Sequence, residues 1–169
     1  MKKNLILIGM PGCGKSTVGV VLAKMMGMDF LDLDLLIQSR SGKKLQVLLD
    51  EMGCDAFLDY EAEVCASVQC ENTVVAPGGS AVLTERGASA LKALGTMVYL
   101  KIAPEQLKDR LSNLATRGVA MQPGQTIEEL YLERVAHYER WADHTVETGP
   151  SIEQMALRIM ELCQTEGCV

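Results

Sequence analysis

The chain has 169 residues, of which 48% are apolar and 22% are charged, and its formal net charge is −6. This length suits one domain, 1–169, with a sizeable core, and the composition is that of a globular rather than a disordered protein. Because no run of lysines and arginines exceeds a pair, we expect no nucleic-acid partner, which would require a basic face. No apolar run approaches the roughly 18 residues of a membrane span, so we expect no membrane association and a cytoplasmic protein.

A glycine-rich segment follows the first apolar run, 4–8, which predicts a buried strand. Residues 9–17 read GMPGCGKST and match the phosphate-binding pattern G-x-x-x-x-G-K-[ST]. The glycines allow successive backbone N–H groups to face phosphate oxygens, and the helix that begins near Lys15 presents its positive end to them. Lys15 would neutralise the β- and γ-phosphates, and the Ser16 hydroxyl would hold Mg²⁺. A purely structural glycine turn is the alternative, but a strand before the segment and a helix after it favour a nucleotide site.

The predicted second strand, 29–34, ends in two carboxylates, Asp32 and Asp34. In an extended strand both would share a face, and at its carboxyl end both could face the crevice where α/β proteins bind ligands. The alternative is that an acidic side chain caps the helix that follows. We favour a chemical role for at least one of them. Residues 43–69 then predict two helices separated near Gly53.

The remaining elements alternate between strand and helix. Strands are predicted at 72–76, 96–101 and 144–148, and helices at 84–94, 104–111, 127–142 and 151–163. Gly78 and Gly79 follow the third strand, where a backbone could approach a ligand closely or simply turn. Residues 113–125 lose apolar periodicity around Arg117 and suit either a mobile lid or an inert surface loop. The alternation predicts an α/β fold with a mostly parallel sheet covered by helices on both faces.

Arg134 lies on the predicted buried side of the helix at 127–142, three residues after Tyr131 and four before Tyr138. A buried arginine requires an anionic partner or ligand. The alternative is an arginine at the rim of the core whose guanidinium reaches solvent.

Six cysteines have no metal-binding spacing and are expected to be reduced thiols. Cys13 stands apart because a helix N-terminus favours the thiolate, which would make it sensitive to oxidants. The alternative, which we favour, is that Cys13 is a small residue that a tight loop tolerates.

With these motifs in place, the sequence resembles the shikimate kinase family, small P-loop kinases of the nucleoside-monophosphate-kinase type. The resemblance covers essentially the whole chain. It is carried by the phosphate loop at 9–17, the Asp32-x-Asp34 pair, Phe57 followed by Glu61, the Gly78-Gly79 turn, Arg110, Arg117, and Arg134 ahead of Tyr138. It implies one P-loop kinase domain with three layers, a five-stranded parallel sheet in the order 2-3-1-4-5, substrate-binding helices at about 34–70 and a lid at about 113–125.

The resemblance also implies an activity. ATP and Mg²⁺ would be the cofactors, and a small molecule would be the substrate. The reaction would be phosphorylation of shikimate to shikimate 3-phosphate, a step of aromatic amino acid biosynthesis. We expect the protein to act as a monomer.

The family's roles can be placed on individual residues of this chain. Asp34 would hold the acceptor hydroxyl and take or orient its proton, while Asp32 would support Mg²⁺ through water beside Ser16. Lys15 and a lid arginine, Arg117, would neutralise the transferred phosphoryl group. The nucleotide would contact Gly12, Cys13, Gly14, Lys15, Ser16 and Thr17, with adenine between Arg110 and the Gly149-Pro150 turn. The acceptor would contact Asp34, Phe57, Leu58, Glu61, Gly78, Gly79 and Arg134, the last of these gripping its carboxylate.

The chain departs from the family pattern at Leu58, where the family has an arginine that shares the acceptor's carboxylate with Arg134. Losing one charged hydrogen bond costs about 1.5–3 kcal/mol, on the order of ten- to a hundredfold in affinity. Leu58 would also place an apolar group beside the anion. Ser80 replaces the third glycine of the usual triplet, and Glu61 is expected to pair with Arg134 alone.

These departures leave two alternatives to a shikimate kinase activity. One is a kinase of the same fold that acts on a different small hydroxylated acceptor with less negative charge. The other is a nucleotide-binding protein without turnover. Against the second stands the complete phosphoryl-transfer set, Lys15, Ser16, Asp32, Asp34 and Arg117.

Overall fold

The computed structural model describes residues 4–111 and 118–168, except for the side chains of 108–111. Within these residues one sheet is formed by β1 Leu5–Ile8, β2 Asp29–Asp32, β3 Thr73–Ala76, β4 Thr96–Lys101 and β5 His144–Glu147. All neighbouring strands are parallel, and their order is β2-β3-β1-β4-β5. The expected α/β fold and strand order are therefore confirmed.

Helices connect the strands and flank the sheet. They are α1 Lys15–Met26, α2 Leu33–Ser41, α3 Leu45–Ser67, α4 Glu85–Leu94, α5 Pro104–Leu111, α6 Ile127–Trp141 and α7 Ile152–Glu166. Gly53 interrupts α3 with φ 79° and ψ 169°, so the two helices expected there are two halves of one kinked element. Helix α1 packs against α7, and α3 packs against α4. No helix in the described part of the chain combines the length and apolar character needed to cross a membrane.

Three helices begin where the sequence predicts a capping side chain. Thr84 accepts a hydrogen bond from Gly87 N at the start of α4, and Ser151 does the same for Gln154 N at α7. Thr126 and Glu129 form a reciprocal capping box at α6. Each cap satisfies an N–H group that has no partner within its own helix, which fixes the starting residue.

The second strand is shorter than predicted, because it ends at Asp32 rather than at residue 34. One carboxylate oxygen of Asp32 accepts a hydrogen bond from Leu35 N at 3.1 Å and caps α2. Asp34 therefore lies in the first turn of α2. The capping alternative is correct for Asp32, and the helix, not an extended strand, sets the direction of Asp34.

The centre of the sheet is the core of the molecule, since every residue of β1 is at most 1% exposed. Asn4 joins three segments just before β1: its amide donates to Cys70 O and Leu94 O, and its carbonyl accepts from Thr73 N. A second, smaller cluster lies apart from this core and is formed by Ile37, Leu45, Leu48, Phe57, Val64 and Ala120. We call it the α2–α3 cluster. The cluster is a separate apolar core formed by α2, α3 and Ala120.

Candidate active site

A cavity of about 750 Å³ lies at the carboxyl ends of β1 and β3. Its walls come from the glycine-rich loop, α2, the start of α3, the turn after β3, residues 118–120 and α6. The charged residues that line it are Lys15, Asp34, Lys44, Glu61 and Arg134. The topology thus collects into one space residues that lie as far apart in sequence as the phosphate loop and α6.

The phosphate loop ends at Gly14, which has φ 101° and precedes the first residue of α1. This left-handed conformation favours glycine. The buried Lys15 ammonium donates to Gly9 O at 2.8 Å and to Met10 O at 3.0 Å, so it is held inside the loop by backbone carbonyls. Gly12, Gly14, Ser16 and Thr17 line the cavity with it. Cys13 is fully buried, which fits a small residue in a tight loop.

Ser16 and Asp32 meet at the mouth of this loop, where the Ser16 hydroxyl donates to Asp32 Oδ2 at 2.6 Å. Both predicted metal residues are therefore in direct contact. Their oxygen atoms are of the type that Mg²⁺ prefers. Among the described residues no group of three or more His, Cys, Asp or Glu side chains could hold a metal.

Asp34 faces the cavity beside the turn after β3. The pKa of its carboxyl group is raised from 3.8 to about 6, mainly by burial. The charge of Lys15 opposes this rise, and the charge of Asp32 adds to it. Gly78 leaves space for this carboxylate: a Cβ there would lie 2.8 Å from Asp34 Oδ1 and would also collide with Glu61 Oε1. Any larger residue at position 78 would push apart two acidic groups that both face the site.

Glu61 is only 2% exposed, and Ser80 Oγ donates to its Oε2 at 2.6 Å. Its other oxygen, Oε1, has no hydrogen-bond partner in the part of the chain that the structure describes. Burial raises the Glu61 pKa from 4.5 to about 7, with the Ser80 hydrogen bond opposing the rise and Asp34 adding to it. The expected pairing with Arg134 is not what the structure shows; the hydrogen bond to Glu61 comes instead from Ser80, the residue in place of a third glycine.

Arg134 is 1% exposed, which confirms the predicted buried side of α6 and rules out a guanidinium that reaches solvent. Its Nη2 donates to Ala120 O, whereas its Nε has no hydrogen-bond partner among the described residues. Within the described residues no carboxylate hydrogen-bonds this guanidinium. A buried cation with an unused donor, lining a cavity, is suited to bind an anion.

Phe57 lines the cavity, but Leu58 is not among the lining residues. Leu58 instead packs against the α2–α3 cluster, which explains why an apolar residue is accommodated there. Pro150 is exposed outside the cavity wall, and Ile152 of α7 lines the cavity in its place. The side chain of Arg110, Arg117 and the first part of the expected lid lie outside the described residues.

Two features of the site were not found from the sequence. Lys44 lines the cavity from the residue just before α3. Tyr138 donates to Gly79 O at 2.6 Å and stacks on Tyr99 with ring centroids 5.1 Å apart. A tyrosine on the buried side of α6 needs a hydrogen-bond partner for its hydroxyl. The sequence could therefore have indicated that Tyr138 bonds to a neighbouring element. No comparable signal existed for Lys44.

The family model for shikimate kinase matches residues 11–164 of this chain. The chain belongs to the shikimate kinase family. A shikimate kinase of Clostridium botulinum is 31% identical over 163 residues, which cover 96% of this chain and 98% of the relative. A shikimate kinase of Thiobacillus denitrificans is 37% identical over 151 residues, with coverage of 88% and 82%.

Solved structures of the shikimate kinase family share the fold. The structure of the Acinetobacter baumannii shikimate kinase in complex with shikimate superposes with a TM-score of 0.89 and 28% identity, over 97% of this chain and 94% of that one. Membership of the shikimate kinase family identifies the chain as an ATP-dependent kinase with a P-loop fold.

Proposed function

We propose that this chain transfers the γ-phosphoryl group of ATP to the 3-hydroxyl of shikimate. The observation that supports this most strongly is the cavity in which the Lys15 phosphate loop, the Asp34 carboxylate and the buried Arg134 guanidinium meet. Phosphoryl transfer depends mainly on positioning and on neutralising charge. When the substrate carries a carboxylate, this reaction requires three parts. They are a phosphate-binding loop, a group that takes the proton of the attacking hydroxyl, and a cation that binds the carboxylate.

The nucleotide end of the cavity fits ATP and Mg²⁺. Residues 12–17 would present backbone N–H groups and the Lys15 ammonium to phosphate oxygens. Lys15, which now donates to two loop carbonyls, would exchange them for those oxygens. Ser16 and Asp32 would hold Mg²⁺, directly and through water. When bound, Mg²⁺ neutralises the phosphate charge. The remaining ligands would be phosphate oxygens and water, since the described residues offer few others here.

At the acceptor end of the cavity, each of the remaining predicted site residues has a role. Asp34, with a pKa of about 6, is largely ionised at neutral pH and accepts a hydrogen bond or a proton from the attacking hydroxyl. Gly78 and Gly79 let the backbone approach the acceptor, and Arg134 offers its unused Nε–H to the carboxylate. Arg117 would complete the charge neutralisation from the lid.

The proposal is tested by incubating the protein with ATP, Mg²⁺ and shikimate and identifying the phosphate ester by phosphorus NMR. Asp34→Asn should lower kcat by about a hundredfold or more, because general acid–base groups contribute about 10²–10⁴. The affinity of the variant for ATP should stay within about twofold, because the substitution leaves the phosphate loop intact. The control is Asp59→Asn, an exposed position of α3 outside the cavity. Unchanged turnover in Asp34→Asn would remove Asp34 from the reaction.

A second candidate is the same transfer to a different small hydroxylated acceptor. The observation that favours it is Leu58, which supplies no cation to the cavity. ATP hydrolysis that does not respond to shikimate, together with tight ATP binding, would support this second candidate.

A further inference from the structure

The cavity contains a cation whose purpose the nucleotide site does not explain. Apart from Lys15 in the phosphate loop and Arg134, the remaining cation among its described lining residues is Lys44. Lys44 is exposed and directly precedes α3, but its side chain does not cap that helix. In the part of the chain that the structure describes, its ammonium makes no ion pair and no hydrogen bond. It is therefore available to a ligand.

The two residues that follow Lys44 and the guanidinium of Arg134 both pack on the short segment 118–120. A Cβ on Gly118 would collide with Leu45 and lie 2.9 Å from Gln46 N, so this segment packs tightly on the start of α3. Two residues later, Ala120 O accepts the hydrogen bond from Arg134. The backbone of 118–120 thus lies between the start of α3, which Lys44 precedes, and Arg134, and both residues line the cavity.

An anion held by Arg134 alone would be poorly compensated. Arg134 is 1% exposed, and among residues 4–111 and 118–168 neither its Nε nor Oε1 of the buried Glu61, which lines the same cavity, has a hydrogen-bond partner. A desolvated carboxylate needs more than one cationic or hydrogen-bonding partner. Leu58 contributes none, because it packs in the α2–α3 cluster. A lysine at the rim, with a flexible four-carbon stem, can approach such an anion when it is bound.

We propose that Lys44 binds the acceptor's carboxylate together with Arg134 and thereby selects an anionic acceptor. This inference rests on the proposed function, since it takes shikimate as the acceptor. Lys44 is in this view a specificity-determining residue that contacts substrate from the start of α3. The charge that is absent at position 58 is supplied from a different element.

The test compares shikimate with its methyl ester, a neutral analogue, in the wild type and in Lys44→Met. The variant should raise the KM for shikimate about tenfold, since a charge-assisted hydrogen bond is lost. The KM for ATP and kcat should stay within about twofold, because Lys15 holds the nucleotide. The preference for shikimate over the ester should fall by the same factor as the affinity for shikimate, and Lys44→Arg should restore it.

Lys43→Met is the matched control. Lys43 is the neighbouring lysine, but it pairs with Glu51 on the surface and does not line the cavity. It should leave both KM values unchanged. An unchanged shikimate KM in Lys44→Met, or an increase in the ATP KM alone, would overturn the inference, and in the latter case Lys44 would serve the nucleotide.

Calorimetric titration with shikimate separates this inference from the proposed function, because it requires no turnover. If the wild type binds shikimate without phosphorylating it, the proposed function fails, and weaker binding by Lys44→Met still supports the inference. Equal binding by the two proteins overturns it. If the wild type does not bind shikimate at all, both proposals fail. Circular dichroism of each variant confirms that the fold is retained.

Discussion

At the scale of the residue, Glu61 is the most unusual group in the site. It is almost fully buried, one oxygen accepts from Ser80, and the other has no hydrogen-bond partner within the described residues. Its pKa is raised from 4.5 to about 7, mainly by burial. Because the folded state binds this proton more tightly than the unfolded chain does, Glu61 favours folding at acidic pH. That contribution is lost as the pH rises through about 7.

Glu61→Gln removes this dependence while keeping an oxygen for the Ser80 hydroxyl. The difference in free energy of unfolding between the variant and wild type should therefore increase, in favour of the variant, by about 2–3 kcal/mol from about pH 5 to about pH 8. Urea unfolding at both pH values measures the difference. Glu63→Gln is the control, since Glu63 is exposed two residues along the same helix. A difference between Glu61→Gln and wild type that does not change with pH would show that Glu61 has an ordinary pKa.

The residues of the nucleotide site could be predicted from the sequence. At the acceptor end of the cavity, the sequence predicts some of the residues but not which of them contact one another. Lys15 and Ser16 occur within one short motif, and local spacing fixes their positions. The partner of Glu61 is Ser80, nineteen residues away on another element. The proximity of Lys44 to the cavity is likewise a tertiary relation. Sequence periodicity reports which face of an element is buried and not which side chains meet across elements.

At the scale of the element, α6 serves the site in two ways. It places Arg134 in the cavity and, one turn later, Tyr138 beneath the turn after β3. The Tyr138 hydroxyl donates to Gly79 O at 2.6 Å and so holds the carbonyl of a residue that we expect to contact the acceptor. A rigid helix thus fixes both the anion-binding cation and the backbone opposite it.

Tyr138→Phe tests this coupling. The aromatic stack on Tyr99 is kept, so the loss of one hydrogen bond should lower the free energy of unfolding by only about 0.5–1.5 kcal/mol. The KM for shikimate should rise several-fold because the Gly79 peptide is less well oriented, while the KM for ATP stays unchanged. Steady-state kinetics and urea unfolding provide both values.

Tyr131→Phe is the matched control for this change. Tyr131 lies on the same helix and donates to Ile102 O at 3.2 Å, but Ile102, unlike Gly79, does not line the cavity. It should cost a similar amount of stability and leave the shikimate KM unaltered. Equal effects of the two variants on the KM for shikimate would mean that Tyr138 has only a structural role.

The elements themselves were largely predictable, because strands and helices alternate and capping residues mark several helix starts. The exception is the end of β2. A period-two pattern continues to Asp34, but the Asp32 carboxylate caps α2 and ends the strand two residues earlier. A side chain that can cap a helix competes locally with continued extension. The alternation of apolar and polar residues alone therefore does not determine where such a strand ends.

At the scale of the whole molecule, the sheet places the phosphate loop at the centre of the fold. Strand β1, which leads into the loop, lies between β3 and β4 and is buried throughout. The alternation of elements predicts a parallel sheet, but the order of its strands came from the resemblance to the family. Strand order depends on which long crossovers form, and these are not encoded in local pattern.

Because the nucleotide site is built on this central strand, ATP should stabilise the whole domain. At about one hundred times its Kd, a ligand adds about 2.7 kcal/mol to the free energy of unfolding. For a chain of this size that corresponds to an increase in Tm of roughly 5–10 °C. Thermal unfolding with and without ATP and Mg²⁺ measures it, and Lys15→Met should abolish most of the shift. An equal shift in Lys15→Met would show that ATP binds elsewhere.

The most direct test of the proposed function is the rate of ADP release by the purified protein with ATP and Mg²⁺, measured with and without saturating shikimate. We expect release to depend on shikimate, with a rate at least about a hundredfold above the basal hydrolysis. Equal rates with and without shikimate would contradict the proposed function and direct the search to a different hydroxylated acceptor.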